Sequence, residues 1–227
     1  MSMQSIPRWY FDSLPPEGRG ELFRTNDNLR DKVDGQGRFR LFCGETTVFD
    51  LPDNVREKLV EIQSQLYDTA GEMFTAQRLG QESLHMTLHS LWDMGEDTKL
   101  RDAPYSHADV CRVLDGIRAD FPDRIMMRAI CPLNMVNTSV VMGLFPASEV
   151  DSWHLAEINR RMAELYPRPY GLTPHVTLAY YRPDEYPEET WRKLKSVFAV
   201  QGFAFPIETE KLFFRRFFDM GRYETIY

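Results

Sequence analysis

Two histidines, His85 and His175, each stand two residues before a threonine, in the tetrapeptides HMTL (His85–Leu88) and HVTL (His175–Leu178). In an extended strand, side chains alternate between faces, so residues two apart share one. His85 and Thr87 then point one way while Met86 and Leu88 enter a core, and His175 and Thr177 do the same against Val176 and Leu178. Two imidazoles facing one cleft supply a general base and a general acid that titrate near neutral pH. Two hydroxyls can hydrogen-bond the oxygens of an anion held between them. That is the outline of a phosphodiester site.

Repetition is what gives the pattern weight. A single H-x-T-L is a common fate for a half-buried strand histidine. Here two of the 5 histidines carry it, which composition alone produces in about one chain in a few thousand.

The elements around the two motifs also match. Before His85 come TTVFDLP (Thr46–Pro52) and then Val55, Leu59, Ile62 and Leu66, at helical spacing. Before His175 come TSVVMGLFP (Thr138–Pro146) and then Val150, Leu155, Ile158, Met162 and Leu165. Each half thus predicts strand, helix, then the motif strand. A helix follows each motif, over Ser106–Phe121 with Ser106 as N-cap and over Pro187–Phe198 with Pro187 in the first turn. Closing strands are expected from Arg124 (RIMMRAICPL) and from Phe203 (FAFPIETEKLFFRRFF). The fold class expected is α+β, a duplicated bilobal arrangement of antiparallel sheets with outer helices and a cleft lined by the two motif strands. The half-repeats span about residues 38–131 and 132–218.

Paired H-x-T motifs on equivalent strands of a duplicated unit resemble the two-histidine (2H) phosphoesterase superfamily, which includes cyclic nucleotide phosphodiesterases and RNA 2′,3′-cyclic phosphodiesterases with ligase-like relatives. The likeness spans about residues 38–218, and its specific part is the two tetrapeptides. The N-terminal segment and GETTVF (Gly44–Phe49) point towards bacterial branches of unknown function. The resemblance implies His85 and His175 as the acid–base pair, Thr87 and Thr177 as phosphate-binding hydroxyls, and no cofactor.

Composition is compatible with that reading. A chain of 227 residues, 43% hydrophobic, can bury a full core. Cys43, Cys111 and Cys131 are odd in number and lack metal-ligand spacing, so reduced thiols and a cytoplasmic protein are expected. Neither a signal peptide nor an apolar run near 18 residues is present, and no membrane partner is expected. A net charge of −7 speaks against long nucleic acid as partner and favours a small nucleotide or other small phosphodiester. Basic pairs occur at Arg38/Arg40, Arg160/Arg161 and Arg215/Arg216. The first and last alternate with aromatics, so Arg40 is a candidate for substrate binding, although for each cluster alone a solvated strand edge is the favoured reading.

Residues 1–37 lack periodicity and end in a DGQG turn (Asp34–Gly37), yet hold Trp9, Tyr10, Phe11 and Phe23. An irregular extension lying on the domain is expected. The charged loop Asp93–Tyr105 is a second candidate for the cleft rim. By strand parity, His89 joins the face of His85 and Thr87, and Tyr181 joins that of His175 and Thr177, where it could stack a base. No Asp, Glu or Cys around His85 and His89 has zinc-ligand spacing, so no metal is expected. His107 and His154 read as helix-surface residues.

The expected chemistry is metal-free cleavage of a small, cyclic-type phosphodiester, with one neutral and one protonated histidine sharing the proton transfers. Three alternatives stand beside it. One is a binding module for a phosphorylated metabolite. Another is an RNA-end phosphodiesterase or its ligation-like reverse. The third is a metal-dependent hydrolase using His85, His89 and His175.

Overall fold

The computed structural model describes residues 22–71, 73–94, 105–194, 197 and 202–227. Trp9, Tyr10, Phe11 and most of the Asp93–Tyr105 loop lie outside the described residues. Among the described residues ten strands run in chain order: β1 Phe23–Arg24, β2 Gly44–Asp50, β3 His85–Asp93, β4 Arg124–Met135, β5 Ser139–Pro146, β6 His175–Tyr180, β7 Glu185–Tyr186, β8 Phe203–Glu208, β9 Leu212–Asp219 and β10 Arg222–Thr225. Four described α-helices interleave with them: α1 Asp53–Ala70, α2 His107–Asp120, α3 Glu149–Leu165 and α4 Glu188–Leu194.

Eight strands form one antiparallel sheet in the order β10-β9-β2-β3-β6-β5-β4-β8. Its arrangement is pseudo-symmetric about the β3–β6 seam. Each half contributes a strand–helix–strand unit (β2-α1-β3 and β5-α3-β6), and each sends its next long strand across to the other. β4 pairs with β5, and β9 pairs with β2. The sequence halves therefore interleave in space. The fold class is the α+β arrangement expected, with eight strands in one continuous sheet and β1 and β7 in a second, two-stranded one.

Helix periodicity accounts for the layer that covers the sheet. Val55, Leu59, Ile62 and Leu66 of α1 are buried, as are Val110, Leu114 and Ile117 of α2 and Leu155, Ile158 and Met162 of α3. These residues join Met86, Leu88, Val176 and Leu178 in one core cluster, so the alternate residues of both motifs anchor the sheet to its helices. Val150 departs from the expected stripe and faces solvent, because it lies in the first turn of α3, ahead of the packed face. Ser106 caps α2 as expected, its hydroxyl accepting from the Ala108 amide. The strand expected from Phe203 divides into β8 and β9 around a short 3₁₀ turn at Thr209–Lys211.

Part of the expected N-terminal extension is built into the fold. β1 pairs with β7, and Leu29 and Val33 are buried. The DGQG turn closes on Asp34, whose Oδ1 accepts from the amides of Gln36 and Arg38. Gly37 has φ +81°, and an added Cβ there would lie 3.3 Å from the Ala76 backbone. No described helix is long and apolar enough to cross a membrane.

Candidate active site

β3 and β6 are antiparallel neighbours whose register pairs Met86 with Val176, both fully buried. Across the seam, that pairing sets His85 opposite Thr177 and Thr87 opposite His175. Opposed residues of such a pair stand about 4.5–5.5 Å apart at Cβ and diagonal ones about 7–8 Å, so a single phosphate can lie among all four. Together they line one cavity of about 270 Å³. Its remaining wall includes Lys32, Ser90, Tyr180, Phe217 and Tyr223.

The two imidazoles are placed alike. Nδ1 of His175 donates to the Thr173 carbonyl at 2.7 Å. A carbonyl only accepts, so Nδ1 carries the proton and Nε2 keeps the lone pair. The Ser83 carbonyl occupies the corresponding place two residues before His85 and favours its protonated ring. His85 Nδ1 is nonetheless buried without a hydrogen-bond partner among the described residues.

Electrostatics separate them. Burial, then the Arg215 guanidinium, then His175 push the His85 pKa down to about 3. His175 is lowered by burial and partly restored by the Thr173 carbonyl. Both shifts favour the neutral ring at neutral pH. Arg215 is fixed by Asp50, 2.9 Å away, the residue directly across the strand pair from His85. It also donates from Nε to the Thr225 hydroxyl at 3.2 Å. On the other side, the Tyr223 ring meets His85 edge-on, with centroids 4.7 Å apart. Burial raises the Tyr223 phenol well above its ordinary value, so it stays protonated.

Strand parity fails at the fourth motif residue, and in both halves. In β3, Thr87 pairs with Val48 while His89 pairs with the adjacent Thr47, leaving Leu88 as an extra residue. In β6, Thr177 pairs with Val141 while Ala179 pairs with Val140, leaving Leu178 extra. A β-bulge turns every later side chain to the opposite face. His89 is therefore not in the cleft: its Nδ1 approaches Asn159 Oδ1 (3.3 Å) and its Nε2 donates to the Tyr166 carbonyl (2.7 Å). Ser90 takes the cleft position instead.

The same shift removes Tyr181 from the site. It is fully buried, packed on Phe23 and Phe74, and its hydroxyl donates to Asn134 Oδ1 at 3.1 Å. Tyr180 lines the cleft in its place and hydrogen-bonds Thr177, while burial pushes its phenol up to about 12.

Arg40 does not reach the cleft either. It is exposed and donates to the Arg30 carbonyl. The cation that does line the cleft is Lys32, from the segment expected to be an extension. Burial lowers its pKa, opposed by Asp93 and Asp31, and its Nζ lies 4.9 Å from the Phe42 ring centroid. No spacing signal in the sequence marks Lys32, because its place depends on a bridge between Val33 and Phe39. The Arg215/Arg216 pair sits on an internal strand between β10 and β2 and not on an edge. Arg216 serves Glu45 at 2.6 Å, a buried carboxylate also bound by the Tyr105 hydroxyl and His107. His107, expected at the surface, is therefore half-engaged. His154 does lie on its helix surface, edge-on to Phe121. Among the described residues, no group of three or more His, Cys, Asp or Glu is arranged to hold a metal ion.

No family model and no curated protein matches the sequence. Solved structures do match in fold. A conserved protein of unknown function from Agrobacterium tumefaciens is 17% identical, with a TM-score of 0.60 over 89% of this chain and 92% of that one. TT0787 of Thermus thermophilus is 18% identical, TM-score 0.50, over 81% and 95%. Escherichia coli LigT complexed with 3′-AMP is 14% identical, TM-score 0.50, over 82% and 96%. The likeness to these structures is one of fold.

Proposed function

We propose that this protein is a metal-independent phosphodiesterase acting on a small, cyclic-type nucleotide phosphodiester through His85 and His175. The observation that carries the reading is the Met86–Val176 register, which brings both imidazoles and both hydroxyls to one cavity. One neutral imidazole takes a proton from water as its oxygen attacks phosphorus. The other, protonated, gives a proton to the leaving oxygen. Thr87 and Thr177 orient the nonbridging oxygens, and Lys32 adds positive charge where the anion lies. An anion between two buried rings favours protonating one of them, which offsets the burial that favours the neutral form.

The aromatic wall of Phe42, Phe217, Tyr180 and Tyr223 suits a nucleoside. That LigT was crystallised with 3′-AMP supports a nucleotide ligand for the shared fold. His89, turned away and engaged by Asn159 and Tyr166, is not placed to join His85 and His175 around an ion. The test is turnover of a panel of 2′,3′- and 3′,5′-cyclic nucleotides, with and without chelator. Activity that survives chelator and is lost in His85→Ala and His175→Ala supports the reading. Phosphate binding with no turnover of any panel member leaves a binding module.

A further inference from the structure

The two motif histidines are oriented by different means. His175 donates from Nδ1 to the Thr173 carbonyl at 2.7 Å, which fixes both its tautomer and its plane. His85 lacks that constraint, since its Nδ1 is buried with no hydrogen-bond partner among the described residues. What meets its ring is Tyr223, with centroids 4.7 Å apart and planes at 74°. Tyr223 packs in turn on Phe217, ring centroids 5.8 Å apart.

Tyr223 is carried by β10, an edge strand of 4 residues that pairs with β9 among the described residues. So short a ladder depends on side chains to hold its place. Two anchors do so. Thr225 shares a face of β10 with Tyr223, two residues before it, and stands directly across the ladder from Arg215. Arg215 donates from Nε to the Thr225 hydroxyl at 3.2 Å and from Nη2 to Asp50 at 2.9 Å, and Asp50 is the cross-strand neighbour of His85. The second anchor lies past the ladder, on α2. There the Tyr227 hydroxyl donates to Asp115 at 2.6 Å, and its ring centroid is 4.9 Å from the Arg118 guanidinium. Arg118 also donates to the Leu212 carbonyl, where β9 begins. Neither Arg215 nor Tyr227 lines the cleft.

We propose that Arg215 and Tyr227 are positioning residues: they hold β10 across the His85 end of the cleft, and the Tyr223 ring on that strand fixes the imidazole plane that a hydrogen bond fixes for His175. For its effect on turnover the proposal rests on reading the cleft as a phosphodiesterase site. The charged and titratable groups around His85 come from four strands: Asp50 on β2, Arg215 on β9, Tyr223 on β10 and His175 on β6. Lys32 and Asp93 stand elsewhere on the cleft wall. Burial first, and the Arg215 guanidinium second, oppose protonation of His85. Release of β10 therefore acts on His85, by admitting water to its ring and loosening its plane. The Thr173 bond keeps His175 as it was.

Arg215→Met and Tyr227→Ala separate this role from plain support of the fold. Imidazole NMR on the protein without substrate reads it, with His85→Gln assigning the signal. In wild type the His85 ring should stay neutral from pH 8 to pH 5 and keep one sharp set of nitrogen shifts. In both variants His85 should begin to titrate inside that range, because a cation or the enclosure is lost, while His175 keeps its wild-type shifts. Should Arg215→Met not fold, because it leaves Asp50 without its partner, Tyr227→Ala decides alone, since it breaks a contact at the surface. On the best phosphodiester found, kcat should fall roughly 10- to 100-fold in Arg215→Met and about 3- to 10-fold in Tyr227→Ala, with KM nearly constant. His85 signals that match wild type in either folded variant, or equal shifts at both histidines, overturn the inference. Altered His85 signals in a protein that cleaves no phosphodiester leave this inference standing and overturn the proposed function. Unaltered signals beside histidine-dependent turnover do the reverse.

Discussion

Leu88 and Leu178 hold the same place in the two halves: each is the unpaired residue of a bulge that immediately follows the motif threonine. Up to that point, parity along the strand aims the histidine and threonine into the cleft. Beyond it, parity reverses, so Ser90 and Tyr180 face the cleft while Leu91 and Tyr181 are buried.

The reversal makes a prediction about the two adjacent tyrosines. Tyr181→Phe should cost about 1 kcal/mol of stability, the worth of a buried hydroxyl bond, and leave turnover unchanged. Tyr180→Phe should alter KM or kcat with little effect on the melting temperature. Paired thermal melts and steady-state kinetics check both.

Thr87→Val and Thr177→Val keep the shape of the side chain and remove one neutral hydrogen bond each. Each should lower kcat/KM by about 10- to 100-fold, less than loss of either imidazole. Single-turnover assays on the best substrate found provide the comparison.

Burial of neutral His85 ties stability to pH. Its folded pKa of about 3 lies below the ordinary 6.5, so the unfolded chain binds more protons between those values. Stability from this group is complete above pH 6.5 and falls as the pH drops towards 3, by about 2 kcal/mol at pH 5. Urea unfolding at pH 7.5 and pH 5 should show that loss, and His85→Gln should reduce it.

An anion in the cleft reverses the preference of the rings. Inorganic sulfate, which does not titrate in this range, should bind more tightly as the pH falls from 8 to 6 and should take up a proton on binding. Calorimetry in two buffers of different ionisation enthalpy measures that uptake directly. It should vanish when both His85 and His175 are replaced.

The fold is legible in the sequence because the duplication is carried by local signals. Helix periods at Val55–Leu66 and Leu155–Met162, the Ser106 cap and the two motif strands are each decided within about a dozen residues. The four motif residues are legible for the same reason: two-residue alternation holds from His85 to Thr87 and from His175 to Thr177. What escapes the sequence depends on partners distant along the chain. The bulges exist only in register with β2 and β5, so alternation alone assigns His89 and Tyr181 to the wrong face. Arg40 lies outside the cleft and Lys32 lines it because the segment before Gly44 is ordered by tertiary contacts and not by periodicity. The crossing of β4 and β9 between halves is likewise a tertiary choice that no strand announces.

The central claim is that His85 and His175 act as one unit on one phosphate. Turnover of the best cyclic phosphodiester by His85→Ala, His175→Ala and the double variant tests it most directly. Each single change should lower kcat on the order of 10²–10⁴, and the double should cost no more than the worse single, as for residues that act together. Full activity in either single variant, or losses that multiply in the double, would contradict the account.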